Sequence, residues 1–289
     1  MRTDSPAEMK ISETVEDARA TSRSATISGK RVGLVPTMGA LHEGHLSLVR
    51  AAKAKCDVVA VSLFVNPAQF GPNEDFSQYP RTFERDRKLL EKEGVHLLFA
   101  PSVDEMYPKG ASTYVTVENL SQKLCGKSRP GHFRGVTTVV SKLFHIVEPH
   151  AAFFGQKDAA QATIIRRMVR DLNIPVEIVV CPIVREPDGL AMSSRNAYLD
   201  PQQRKSALVL YRSLMRVQEL FNHSERNAAR LIAAGKETFA QEPSMRLDYF
   251  EIVDPGNLES LSHLSQRSLV AVAAFVGTTR LIDNIELGP

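Results

Sequence analysis

Two histidines stand three residues apart in "VPTMGALHEGHLSLVR" (residues 35–50), where an apolar run ends and a helical pattern begins. At that spacing His42 and His45 share one side of a helix start. A helix N-terminus presents N–H groups and the positive end of its dipole, and Gly39 and Gly44 let the backbone approach a ligand closely. Two imidazole donors in this setting suit negative charge growing on a phosphate; removing one such donor typically costs about 10²–10³ in rate. Read alone, the stretch also fits a turn with one histidine capping the helix and the other exposed.

Three further stretches carry candidate chemistry. In "FVNPAQFGPNEDFSQYPRTFERD" (64–86) Asn66 and Gln69 follow a buried run, and their neutral amides can discriminate hydroxyls and carboxylates without adding charge. Asn-Pro is equally ordinary turn chemistry. Asp86 is a candidate Mg²⁺ ligand, although a lone acid on a charged helix is commonly solvated. In "FFGQKDAAQ" (153–161) a glycine again separates a short apolar run from a helix start bearing Lys157, Asp158 and Gln161. Lys157 can place a point charge on phosphate, and Asp158 can hold a ribose hydroxyl or cap the helix. In "DGLAMSSRN" (188–196) two hydroxyls, Ser193 and Ser194, precede Arg195, whose fork can grip a triphosphate as the loop closes. The same residues also describe a plain linker.

These side chains need elements to hold them. The first two-thirds of the chain alternate buried Val/Ile/Leu/Phe runs ("RVGLVP", "DVVAVSLFVN", "VHLLFAP", "AAFFG", "PVEIVVCPIV") with helical patterns ("HLSLVRAAKAK", "ERDRKLLEKEG", "VTTVVSKLFHIV", "KDAAQATIIRRMVRDLN"). That alternation predicts an α/β domain, a Rossmann-like doubly wound parallel sheet with both faces covered. Ligands then bind beyond the C-terminal strand ends, where "PTMGALHEGH" falls. "STYVTVEN" reads as an extra strand outside the alternation. After "REPDGL" the pattern changes to helices over 201–221 and 225–239, then strands in "LDYFEIVD", "SLVAVAAFVG" and "TRLIDNIEL". The expected division is a domain of 1–184 and a smaller α+β lid of 185–289, with residues 1–8 a disordered lead or an upstream start before Met9.

The 289 residues, 43% hydrophobic and 24% charged, with a net charge of +3, describe an ordinary globular protein. The basic residues are scattered, which argues against nucleic acid as a partner. No apolar run is long enough to cross a bilayer, and the polar N-terminus has no secretory h-region. Cys56, Cys125 and Cys181 lie far apart, with no C-x-x-C spacing, which favours a reducing cytoplasm over disulfides or thiolate metal sites.

Taken together, "PTMGALHEGHLSLV", "FVNPAQF", "YPRT", "RPGHFRGVTTVVSKLF", "FFGQKD", "RRMVRDLN" and "DGLAMSSRN" resemble the pantothenate synthetase (pantoate–β-alanine ligase) family of the HIGH-motif nucleotidyltransferase superfamily. The tail, "YFEIVDP" and "TRLIDNI", fits as well. The resemblance implies ATP-dependent condensation of pantoate with β-alanine through a pantoyl-adenylate, in a homodimer that uses Mg²⁺. It assigns ATP to Pro36, Thr37, Met38, Gly39, Ala40, Leu41, His42, Glu43, Gly44 and His45, with His45 the proton donor. Gly155, Gln156, Lys157 and Asp158 form a second ATP segment. Met192, Ser193, Ser194 and Arg195 form a third, with Val184 at the adenine. Gln69 and Gln161 match glutamines that hold pantoate, and Asp86 falls where an aspartate helps position Mg²⁺. Arg129 and His132 lie in a segment near the substrate mouth. Where the family commonly carries a glutamine before Gln161, this chain has Ala160.

Two other classes remain open at this level. One is a nucleotidyltransferase that makes a stable adenylated or cytidylylated product, which needs cations for its acceptor's phosphate. The other is a non-catalytic nucleotide sensor or RNA-binding module, which would tend to lose part of the His42/His45/Lys157/Arg195 set.

Overall fold

In the computed structural model, residues 8–72 and 74–288 are described. The chain divides into two compact units. One comprises residues up to 121 together with 130–155 and 164–181; the other comprises 122–129, 156–163 and everything from 182 onward. The expected 184/185 boundary therefore has a neighbour at 181/182, and two short upstream segments group with the C-terminal residues. Of the expected disordered lead, residues 1–7 lie outside the described residues and Glu8 is exposed.

The first unit holds a parallel sheet of six strands: β1 (Lys10–Ser12), β2 (Val32–Thr37), β3 (Val58–Leu63), β4 (Leu97–Phe99), β5 (Ala151–Gly155) and β6 (Glu177–Cys181). Their order is β1-β4-β3-β2-β5-β6. Helices α1 (Val15–Ile27), α2 (Glu43–Lys55), α3 (Phe83–Glu93), α4 (Val103–Met106), α5 (Cys125–Ser128), α6 (His132–Val147) and α7 (Ala159–Asp171) occur in this part of the chain. α2 packs on β2, β3 and β5 and against α3, while α1 packs with α6 and also meets β2. The core beneath α2 joins Val35, Leu48, Val49 and Ala52 to Val59, Val61, Leu98 and Phe153. These continuous apolar strands are what a sheet covered on both faces requires.

The strand order reverses between β2 and β5. Their ladder covers only Gly33↔Ala151 and Leu34↔Ala152, although β2 runs on to Thr37 and β5 to Gly155. The two strands thus part toward their C-terminal ends, which opens the crevice where open α/β sheets bind ligands.

Two local expectations are corrected. Residues 112–117 form no strand. Val115 instead donates its N–H to Thr138 Oγ1 at 3.0 Å and accepts Thr137 Oγ1–H at 2.6 Å, so hydroxyls of α6 replace a strand ladder. The helical run from 201 is two helices, α8 (Pro201–Ser206) and α9 (Leu208–Asn222), with Ala207 at their junction. β1 and α1 were not foreseen: a three-residue strand gives no alternation to read.

The second unit packs α9 and α10 (Ala228–Ala240) on an antiparallel sheet of β7 (Met245–Val253), β8 (Ser268–Val276) and β9 (Thr279–Leu287). Its core includes Leu210, Leu214, Leu231, Phe250, Val270 and Val272. Gly277 and Thr278 form the β8–β9 turn, with Val276 opposite Thr279. Among the described residues no helix is long and apolar enough to cross a membrane, and all three cysteines are free and buried.

Candidate active site

In the first unit, β2 ends at Thr37 and the chain turns through Met38–Leu41 into α2, with His42 as the N-cap. The turn has an unusual backbone. Gly39 has φ 82° and Ala40 has φ 51°, and a left-handed residue with a Cβ costs about 1–2 kcal/mol. Asp86, buried on α3, opposes that cost. Its Oδ2 accepts the Ala40 N–H at 2.8 Å and Thr82 Oγ1–H at 3.0 Å, and its Oδ1 accepts the Leu41 N–H at 2.9 Å. Hydrogen bonds to an ionised acceptor are about twice as strong as neutral ones. Thr37 adds a strut, donating to Ser62 O at 2.7 Å and accepting the Gly39 N–H at 3.2 Å.

Both carboxylate oxygens of Asp86 are therefore occupied by the loop that leads to the histidines. Among the described residues no group of three His, Cys, Asp or Glu side chains could hold a metal. The residues present do not fit a protein-bound Mg²⁺ with Asp86 as its ligand; a carboxylate closed over two backbone amides is a clamp.

His42 and His45 meet at the head of α2, ring centroids 4.0 Å apart and tilted by 37°. His45 Nδ1 accepts the His42 N–H at 3.3 Å. In neutral His45 the proton is consequently on Nε2, which is then a donor. Leu41 is buried in the core, and the Glu43 carboxylate pairs with Arg50 on the exposed side of α2.

After β3 a short turn, Pro67–Gln69, is capped by Asn66. Asn66 is buried, with its amide facing inward. Its Nδ2 donates to Gln69 Oε1 at 3.0 Å and to Gly135 O at 3.1 Å, and its Oδ1 accepts the Tyr107 hydroxyl at 2.9 Å. Burial pushes the Tyr107 hydroxyl up to about 12, so it stays a donor. Gln69 Nε2 lies 3.1 Å from Met38 Sδ. His132 also turns inward: its Nδ1–H donates to the Gln69 carbonyl at 2.9 Å. Asn66 and His132 thus hold and orient the turn that carries Gln69. Tyr107 and Gly135 were missed in the sequence. Gly135 lets α6 touch the turn, since a Cβ there would stand 2.1 Å from Ala68 O.

The second unit contains the other predicted segments. Gln156–Asp158 form one turn of 3₁₀ helix after β5, and α7 begins at Ala159, with Ala160 buried and Gln161 half-buried. Val184 O accepts the Met192 N–H at 3.0 Å, and Arg185 pairs across a bridge with Ala191. Ser193 then caps the turn Ser194–Tyr198, its Oγ accepting the Arg195 N–H at 3.3 Å. Lys157, Ala191, Ser193, Asn196 and Asp283 line one recess. Arg129 also belongs to this unit, half-buried at the end of α5.

Comparison with known proteins bears on this arrangement. The family model described as Pantoate-beta-alanine ligase matches residues 10–286. A pantothenate synthetase of Thermotoga neapolitana is 59% identical over 280 residues, covering 97% of this chain and 100% of that one. Another, of Koribacter versatilis, is 58% identical over 279 residues, 96% of each. The crystal structure of pantothenate synthetase from Thermus thermophilus superposes with a TM-score of 0.93 at 48% identity, covering 97% of this chain and 100% of that one. The pantoate-beta-alanine ligase of Francisella tularensis, complexed with beta-gamma ATP and beta-alanine, gives 0.79 at 36% identity, over 96% of this chain and 97% of that one. A doubly wound sheet bearing the histidine pair, a smaller antiparallel unit, and likeness along nearly the whole chain agree: the chain belongs to the pantoate–β-alanine ligase family.

Proposed function

We propose that this chain joins pantoate to β-alanine at the expense of ATP, releasing AMP and pyrophosphate. A carboxylate is a poor acyl donor, so the pantoate carboxylate first attacks the α-phosphorus of ATP. The bond to pyrophosphate breaks and a pantoyl-adenylate forms. The β-alanine amine then attacks the acyl carbon, the acyl–phosphate C–O bond breaks with AMP as leaving group, and the amine gives up a proton as the amide forms.

Neither step needs a protein nucleophile, so the residues act by positioning and by neutralising charge. His45, through Nε2–H, and His42 are assigned to the phosphates, together with Lys157, Ser193, Ser194 and Arg195. Gly155, Gln156, Asp158, Val184 and Met192 are assigned to the rest of the nucleotide. Gln69 and Gln161 are assigned to pantoate, and Arg129 to the substrate mouth. Mg²⁺ is taken with the nucleotide's phosphates, since Asp86 is closed over Ala40 and Leu41. The C-terminal residues are assigned a covering role that keeps water from the adenylate. A cytoplasmic homodimer is the expected form.

One observation carries this reading. The neutral amide of Gln69 is held by Asn66 beside Met38, on the same unit that presents His42 and His45. A neutral amide suits a hydroxylated carboxylate, whereas a phosphorylated acceptor calls for cations. The beta-gamma ATP and beta-alanine named with the Francisella relative support ATP and β-alanine as two of the substrates. The test is to supply purified protein with ATP, Mg²⁺, pantoate and β-alanine and to follow AMP, pyrophosphate and pantothenate. All three should appear together. Pyrophosphate without AMP or amide points to a nucleotidyltransferase, and no turnover by folded protein points to a binding module.

A further inference from the structure

Asp283 and Asn284 are consecutive on β9 and only 3% exposed, and none of the assignments above uses them. Asn284 Nδ2 donates to the carbonyl oxygens of Gln156 and Lys157, at 3.0 and 2.9 Å. Its Oδ1 accepts Gln156 Nε2–H at 3.3 Å, and that nitrogen also donates to Glu286 Oε1 at 3.2 Å. One buried amide thus straps the turn that carries Lys157. Aspartate would not serve in its place, because it has no N–H to give and would set a negative charge against two carbonyl oxygens.

Asp283 receives the fork of Arg185: Nη1 reaches Oδ2 at 2.6 Å and Nη2 reaches Oδ1 at 2.9 Å. Its Oδ1 also accepts the Asn284 N–H at 2.7 Å. Arg185 continues outward, donating through Nη1 to Gly189 O at 3.0 Å. It thereby ties the 185–191 ladder, whose far end leads into Ser193 and Arg195, to the same two residues of β9. Burial pushes the Asp283 carboxyl upward, while the Arg185 guanidinium, the Asn284 N–H and the nearby Lys157 charge oppose that shift.

We propose that the Asp283–Asn284 dipeptide is a positioning element for ATP, holding the Lys157 turn and the Ser193–Arg195 loop at one fixed spacing. This rests on the assignment of both segments to the nucleotide. Removing one partner of the Arg185–Asp283 pair leaves the other unpaired and lowers stability whatever its role, so a positioning role separates from a structural one by which ligand is affected.

The test uses the full chain as wild type, Asn284→Asp, Asn284→Ala and Asp283→Asn. Binding of a non-hydrolysable ATP analogue with Mg²⁺ is measured by calorimetry, beside KM for ATP, pantoate and β-alanine and the thermal midpoint. The Asn284 variants should weaken ATP about tenfold or more, two hydrogen bonds being lost. KM for pantoate and β-alanine should stay within about twofold, and Asp283→Asn should show the same selectivity should an Asn284 variant fail to fold. ATP affinity within twofold of wild type in every folded variant, or an equal rise in all three KM values, overturns the proposal. A wild-type chain that binds the analogue but makes no pantothenate sinks the ligation reading alone and leaves the calorimetric comparison in force. A wild-type chain that binds no ATP overturns both.

Discussion

His45 Nδ1 accepts the backbone N–H of His42 at 3.3 Å, so the residue that caps α2 also sets the tautomer of its partner. The Nε2 of neutral His45 is then a donor by construction. His45→Ala should depress turnover about 10²–10³-fold with a modest change in ATP affinity, the scale seen when one transition-state donor is removed. Steady-state kinetics check this, and nitrogen chemical shifts of labelled histidine should report the Nε2–H tautomer at neutral pH. A near-wild-type rate removes His45 from the chemistry.

Asp86 separates a clamp from a metal ligand. Asp86→Asn keeps one acceptor but sets an amide N–H against the second backbone donor, which should cost about 1–3 kcal/mol. The melting midpoint should fall and KM for ATP should rise, while the Mg²⁺ concentration for half-maximal rate stays where it is in wild type. A marked shift in that concentration would make Asp86 a ligand after all.

Gly135 is the contact point between α6 and the turn that carries Gln69. Alanine is normally the better helix former by about 1 kcal/mol, yet its Cβ would lie 2.1 Å from Ala68 O, a backbone atom. Overpacking of this kind typically costs about 1–3 kcal/mol and decides the sign. Gly135→Ala should lower stability and raise KM for pantoate more than KM for ATP, as measured by denaturant unfolding and initial rates.

His96 gives the fold a pH dependence of its own. Its Nδ1 accepts the Val59 N–H at 3.1 Å, and burial, aided by the Lys53 and Lys30 charges, lowers its pKa below the ordinary 6.5. The unfolded chain then binds more protons here than the folded one between the two values, so stability falls as pH drops through about 6.5. His96→Gln should flatten that part of the profile, seen as a smaller difference between urea midpoints at acid and neutral pH.

The sheet and the four motif segments were legible because each lies in one continuous stretch: an apolar strand, a turn rich in glycine or small polar residues, and a helix start. What was not legible works across distance. Tyr107 reaches Asn66 over 41 residues, Asn66 reaches Gly135 over 69, and Asn284 reaches Gln156 over 128. No local pattern announces such pairs. Asp86 shows the reverse case. A carboxylate among the charges of α3 reads as solvated or metal-bound, and only its burial against the positive-φ loop discloses the clamp. "STYVTVEN" failed because β propensity describes a pleated surface, and here the hydroxyls of Thr137 and Thr138 took up the Val115 backbone instead.

Neighbours along a strand point to opposite sides, and for that reason Asp283 can meet Arg185 while Asn284 meets the Lys157 turn. Which of them faces which is counted out from the Gly277–Thr278 tip of the β8–β9 hairpin. Exposed hairpin tips are ordinarily where a chain tolerates an added or deleted residue. Here a change that slips the register by one would bring Asn284 to Arg185 and Ile285 to the Lys157 turn, or in the other direction Ile282 to Arg185 and Asp283 to the turn. The tip thus acts as a ruler: its length, more than its composition, keeps the two segments correctly addressed.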